Sequence, residues 1–170
     1  CVTFALAPVE PDACAQYCAA QGVAKADAAL YSALFDGRIG TVLSVAQNKE
    51  RRAQLDQALT LARAAAAGDA YAAAVLLAGY EKDKAAAAAL LTDLLAVAAA
   101  GLRNAPSAPV QGDAARRTLA AASQALERLA AQVSPKAVLS VLAIKLGRSS
   151  RWLKSEVEAW LQARIAQPRP

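Results

Sequence analysis

The sequence predicts an all-α chain: a small three-helix bundle, then a larger helical domain, with a short strand-like segment in front. Three observations predict it. The composition is 56% hydrophobic but only 5% aromatic, so the core must be built from Ala, Leu and Val, and closely packed helices are how such small side chains fill space. Apolar residues recur at steps of three and four along most of the chain, the period of a helix rather than of a strand. Polar caps and glycine stops divide that pattern into successive elements.

The exception comes first. Residues 1–7 read Cys-Val-Thr-Phe-Ala-Leu-Ala, an alternating, β-branched run expected to form one strand without a partner in the rest of the chain. Pro8 ends it, and Glu10, Pro11 and Asp12 open a helix by placing carboxylates at the positive end of its dipole. That helix is expected to bury Cys14, Tyr17, Cys18 and Gln21 and to stop at Gly22. A second, over 25–36, carries Ala26, Leu30 and Leu34 on one stripe and stops at Gly37. A third, over 38–47, carries Ile39, Val42, Leu43 and Ala46, with Gly40 expected to allow a close backbone approach. These make the first domain, 1–47; the remainder, 48–170, makes the second.

Asn48 caps a longer helix with Leu55, Leu59 and Ala62 inward and Gly68 at its end. Asp69 caps the next, through Tyr71, Ala74, Val75 and Ala78. After the charged turn Glu81-Lys82-Asp83-Lys84, a long helix over 85–101 presents Leu90, Leu91, Leu94 and Leu95 as a broad seam. A loop over 103–112 follows, with Pro106 and Pro109. Leu119, Ala122, Leu126, Leu129 and Val133 then trace a bundle seam over 113–133. Ser134 caps, and Pro135 begins, a helix whose Val138, Leu139, Val141, Leu142, Ile144 and Leu146 spread over more than one face, as suits the centre of the molecule. Gly147 is expected to close it in the left-handed conformation, and Leu142→Ala to cost about 2–5 kcal/mol. A last helix, starting at Ser149 or Ser150, would carry Trp152, Val157, Trp160, Leu161 and Ile165 until Pro168. No 34-residue repeat is visible, which argues against a helical-repeat array.

With 170 residues the chain is long enough to bury a core. Arg63, Asp83, Lys84, Asp93 and Arg103 interrupt its apolar stretches before any reaches the roughly 18–20 uncharged residues of a membrane span, so no membrane partner is expected. The net charge is +5, much of it from Lys136, Lys145, Arg148, Arg151, Lys154, Arg164 and Arg169 against Glu156 and Glu158. Dispersed cations of this kind keep an Ala/Leu bundle in solution. Base-stacking aromatics are missing apart from Trp152 and Trp160, so direct nucleic-acid binding is not the favoured reading. Cys14 and Cys18, four apart on one helical face, are expected to be buried free thiols in a reducing, cytoplasmic setting rather than a metal site. The sequence has no Met, and is read as a fragment.

Catalytic arrangements are poorly represented. The chain has no histidine to serve as base for a serine or cysteine nucleophile, and no glycine-rich phosphate loop ending in Lys-Ser or Lys-Thr. Asp93, alone on the long apolar helix, is the one suggestively placed carboxylate; a solvated or surface salt-bridged role is expected. The residues therefore predict no catalytic, cofactor-binding or metal-ligating set, no cofactor, and no enzyme activity for this chain.

Four segments in fixed order carry more information: Cys1-Val2-Thr3-Phe4-Ala5-Leu6-Ala7-Pro8 followed by a helix, Asp36-Gly37-Arg38-Ile39-Gly40-Thr41-Val42-Leu43, Leu91-Thr92-Asp93-Leu94-Leu95, and Ser134-Pro135-Lys136-Ala137-Val138-Leu139. Together, over residues 1–146, they resemble the C-terminal two-thirds of bacterial clamp-loader subunits, AAA+ proteins that open the sliding clamp for DNA polymerase III. The resemblance implies that Cys1 ends a Ser-Arg-Cys motif at the edge of an ATPase sheet lying ahead of this chain. It implies that 1–47 contains the three-helix lid and 48–170 the collar through which sister subunits associate.

Gly40 stands where the ATP-hydrolysing gamma/tau subunits carry a nucleotide-sensing arginine, which favours the non-hydrolysing delta-prime type. Arg38, two residues earlier, does not take over that role. Thr92, Ser134 and Ser140 replace the family's arginine, asparagine and glutamate. The implied partners are gamma/tau and delta subunits, met through helices from Lys84 and Asp113 onward, with DNA engaged only indirectly. Other readings are a gamma/tau-like collar, an envelope lipoprotein processed at an N-terminal cysteine, and an unrelated helical interaction module.

Overall fold

In the computed structural model, which describes residues 9–105 and 107–147, those residues form eight α-helices and no strand. The strand expected over 1–7 and the last helix with Trp152 and Trp160 lie outside the described residues. Three short helices come first: α1 (Pro11–Ala20), α2 (Lys25–Leu34) and α3 (Ile39–Gln47), each packed against the other two. Five follow: α4 (Lys49–Ala67), α5 (Ala70–Ala78), α6 (Lys84–Leu102), α7 (Gly112–Ala130) and α8 (Pro135–Gly147).

Local chemistry places the starts of α4, α5 and α6. The Asn48 side chain accepts from the backbone amides of Glu50 and Arg51, that of Asp69 from Ala72, and that of Asp83 from Ala86. Each satisfies amides that have no partner within the first turn. Gly68 ends α4 at φ +70°, the left-handed stop that favours glycine.

The central helix is α6, not α8. It packs against α4 and α7 and reaches α2 of the first bundle, and it buries Ala87, Leu90, Leu91, Asp93, Leu94, Val97, Ala98, Ala100 and Gly101. By length and composition α6 could cross a bilayer, but half of its apolar window is buried within the protein. Its apolarity is that of a helix enclosed by other helices. Helix α8 packs on α5, α7 and α4 and is buried on one side only: Val138, Leu139, Leu142, Ala143 and Leu146 face in, while Val141 and Ile144 are exposed. The connection between α6 and α7 also contributes to the core through Ala105, Ala108 and Val110.

Several side chains expected inside lie outside. Tyr17, Gln21, Ala26 and Val133 are exposed. In helices this rich in alanine the apolar pattern continues around the cylinder, and tertiary contact rather than sequence phase chooses the buried face. The choice in α1 falls on Cys14 and Cys18 alone, and in α2 on Ala28, Tyr31, Ser32 and Leu34.

Two glycine roles also differ from expectation. Gly147 is the last residue of α8 and is not in the left-handed region; a Cβ there would lie 2.1 Å from the Ala70 Cβ, so its missing side chain lets α8 end directly on the start of α5. Gly40 has open space where its Cβ would be, and the close approach falls instead at Gly37, which has φ +67° and whose Cβ would lie 1.6 Å from the carbonyl oxygen of Val9.

These positions make opposite predictions. Gly37→Ala should destabilise by more than about 1–2 kcal/mol, the cost of left-handed backbone alone, because the Val9 segment must also move. Gly40→Ala should stabilise by a few tenths up to about 1 kcal/mol through helix propensity. Urea unfolding of the two variants checks this; a neutral Gly37→Ala would overturn the packing described around Val9.

Candidate functional site

Two concave surfaces stand out, one polar and one apolar. The polar cleft lies where the two bundles meet and encloses about 340 Å³ between α2, α3, α4 and α6, with Asp36, Arg38, Thr41, Arg51, Asp93 and Arg103 among its lining residues. At its base Arg51, in the first turn of α4, donates through both terminal nitrogens to Asp93 on α6: Nη1 to Oδ2 at 2.5 Å and Nη2 to Oδ1 at 2.5 Å.

The Asp93 side chain is only 3% exposed and that of Arg51 25%, so the expectation of a solvated or surface-paired Asp93 is corrected. It is salt-bridged, but inside. Burial pushes the Asp93 carboxyl above its ordinary range, and the hydrogen bonds and charge of Arg51 oppose that push without cancelling it. With both oxygens engaged, Asp93 clamps α6 to α4 rather than offering a base to the cleft.

Above this pair, Arg103 closes the other wall. Its Nε lies 3.4 Å from Asp36 Oδ1, and its Nη2 donates to the carbonyl oxygens of Ala33 at 3.3 Å and Leu34 at 3.4 Å. It thereby serves carbonyls left unpaired at the end of α2, where the dipole also favours a cation. Arg52 reaches Asp27 on α2 at 2.5 Å. Both contacts cross from one bundle to the other, whereas the Arg51–Asp93 pair joins α4 to α6 within the second. Arg38, two residues before Gly40, is exposed at the rim.

The apolar groove lies between α5 and α8 and holds about 500 Å³. Tyr71, Ala74, Leu77 and Ala78 line one side, Leu139, Ala143 and Ile144 the other, with Ser140 and the carboxylate of Glu81 among them. Tyr71 is 80% exposed and Ile144 56%. Sequence reasoning missed this groove, naming Tyr71 and Ala74 along the helix without assigning its exposed face. The available signal was the sequence of α5 itself, AYAAAVLLA, apolar on every side and so in need of neighbours on every side.

Cys14 and Cys18 are free, fully buried thiols, as their spacing predicted. Burial, together with the neighbouring Cys14, pushes the Cys18 thiol up, away from the reactive thiolate. Among the described residues no group of three His, Cys, Asp or Glu side chains is placed to hold a metal ion. Comparisons with protein-family models, with characterised proteins and with solved structures find no match to this chain.

Proposed function

We propose that this chain is the assembly region of a clamp-loader subunit of the delta-prime type, a non-catalytic cytoplasmic part that joins gamma/tau and delta sister subunits through its second bundle. One observation carries the reading. Three mutually packed short helices, α1–α3, precede a second group of five helices, α4–α8, that pack on one another, in the order that the resemblance assigns to lid and collar.

The setting of Gly40 supports the delta-prime choice. It lies exposed near the start of α3 with nothing within 4 Å of where a side chain would begin, so an arginine could be accommodated there and the position simply lacks one. A subunit that supports its neighbours without sensing nucleotide has no use for that side chain. Its work is to bury collar surface against sister subunits and hold their ATPase domains around DNA, which this chain meets only indirectly.

The test is direct. Mixed with the collar region of the gamma/tau subunit from the same organism, this chain should co-elute as one species in size-exclusion chromatography. Separate elution of the two at concentrations well above those of a stable complex would overturn the proposal.

A further inference from the structure

We propose that the groove between α5 and α8 is a binding site for a small monocationic amphiphile, a molecule with an apolar chain and one ammonium head group, whose head is held by the Glu81 carboxylate. The inference concerns these two helices and the turn after α5, and does not depend on the clamp-loader reading.

The groove has the make-up of a small-molecule site. Its volume of about 500 Å³ falls within the roughly 300–1,000 Å³ of such sites, which are apolar with a few placed polar groups. The floor is part of the protein core: Leu77 and Leu139 are 1% exposed and Ala143 4%, so packing against the rest of the bundle fixes it. Ala70, Ala74 and Ala78 follow at steps of four along α5 and keep the trough open, since none carries a side chain beyond Cβ. Tyr71 and Ile144 stand as exposed walls. An apolar surface shaped in this way and open to water is stabilised by being covered.

One end of the groove differs from the rest and selects the occupant. Toward Ala70 the helices converge, because Gly147 brings α8 onto the first residue of α5. Beyond Ala78, at the other end, lies Glu81, the one charged side chain among the described residues of a lining that otherwise offers only the hydroxyls of Tyr71 and Ser140. Glu81 is half-buried, and among the described residues no Lys or Arg forms an ion pair with it. A carboxylate set against apolar surface without a cation is incompletely compensated, and a ligand ammonium supplies both the opposite charge and charge-assisted hydrogen bonds. An anionic amphiphile would meet the same apolar walls but would set a like charge against Glu81. The site therefore favours the cation, with its apolar chain running from Glu81 toward Ala70.

Isothermal titration calorimetry of the whole protein at neutral pH with decylammonium and with decanoate, each below its micelle-forming concentration, tests this. The net charge of +5 draws the anion to the protein at large, so a preference for the cation reports the groove rather than the general surface. Decylammonium should bind saturably at one site and several-fold more tightly than decanoate. Glu81→Gln should remove that preference while leaving the apolar contribution. Ala74→Trp fills the trough from an exposed position; it should keep the helical circular dichroism and lose the binding of both compounds. The proposal fails if decanoate binds as tightly as decylammonium, or if the Ala74→Trp protein takes up decylammonium as before. It fails equally if neither compound binds, as when another part of the chain or a second copy already covers the groove.

Discussion

Replacing Arg51 by alanine is expected to cost about 3–5 kcal/mol at neutral pH, the range for removing one partner of a buried ion pair. The loss comes less from the attraction than from what remains. Asp93 is 3% exposed in the middle of α6, and without Arg51 its carboxylate has neither solvent nor a donor. The reverse change should be milder: after Asp93→Asn the Arg51 side chain, already 25% exposed, can turn toward water, and the cost should fall to about 1–2 kcal/mol.

The pH dependence follows from the same burial. Even beside Arg51 the Asp93 carboxyl titrates above its ordinary value of 3.8, because desolvation outweighs the pairing. Removing Arg51 leaves desolvation unopposed, so the folded-state pKa rises further while the unfolded one stays where it was. The native state then holds this proton more tightly than the unfolded chain, and its stability falls as pH rises through the folded pKa. The deficit of Arg51→Ala relative to the unaltered protein should therefore be fullest at neutral pH and shrink on acidification toward the ordinary carboxylate range. Urea unfolding at pH 7 and at about pH 4.5 separates the two. A deficit constant between them would show that Asp93 has found another donor or water.

What was legible in the sequence was legible because it is local. Asn48, Asp69 and Asp83 each bond an amide two or three residues ahead, so the start of a helix is written within one turn of itself. The all-α fold was legible for a related reason, since small side chains leave helix packing as the way to make a core. The site was less legible. Asp93 and Arg51 are 42 positions apart, and only the phase of Asp93, between Leu90 and Leu94 on the buried stripe, hints that it lies inside.

The outer face of α8 was misread, and that of α5 left unassigned, for the opposite reason. Apolar residues surround both helices, so hydropathy has no phase to report, and the empty side became an exposed groove. The glycines show the same limit. Gly37, Gly101 and Gly147 meet backbone or side-chain atoms of Val9, Val110 and Ala70, while Gly40 meets nothing, a distinction that depends on residues remote in the chain.

The relative weight of α6 and α8 gives the second large effect. Leu94 and Leu142 are both leucines with essentially no exposed surface, so the transfer cost of truncating either to alanine is the same. The difference must come from the cavity left behind. Leu94 lies on a helix enclosed by α4, α7 and α2, where close-packed neighbours on several sides cannot move inward without disturbing one another. Leu142 lies on α8, whose opposite face carries exposed Val141 and Ile144, so the helix can shift toward the core and partly fill the space. Leu94→Ala is therefore expected near the upper end of the 2–5 kcal/mol range for such truncations, about 4–5, and Leu142→Ala near the lower end, about 2–3. Equilibrium urea unfolding of both variants decides it, read with equal m-values so that the comparison is of stability alone. If Leu142→Ala proves the costlier of the two, α8 and not α6 is the helix around which this chain is packed.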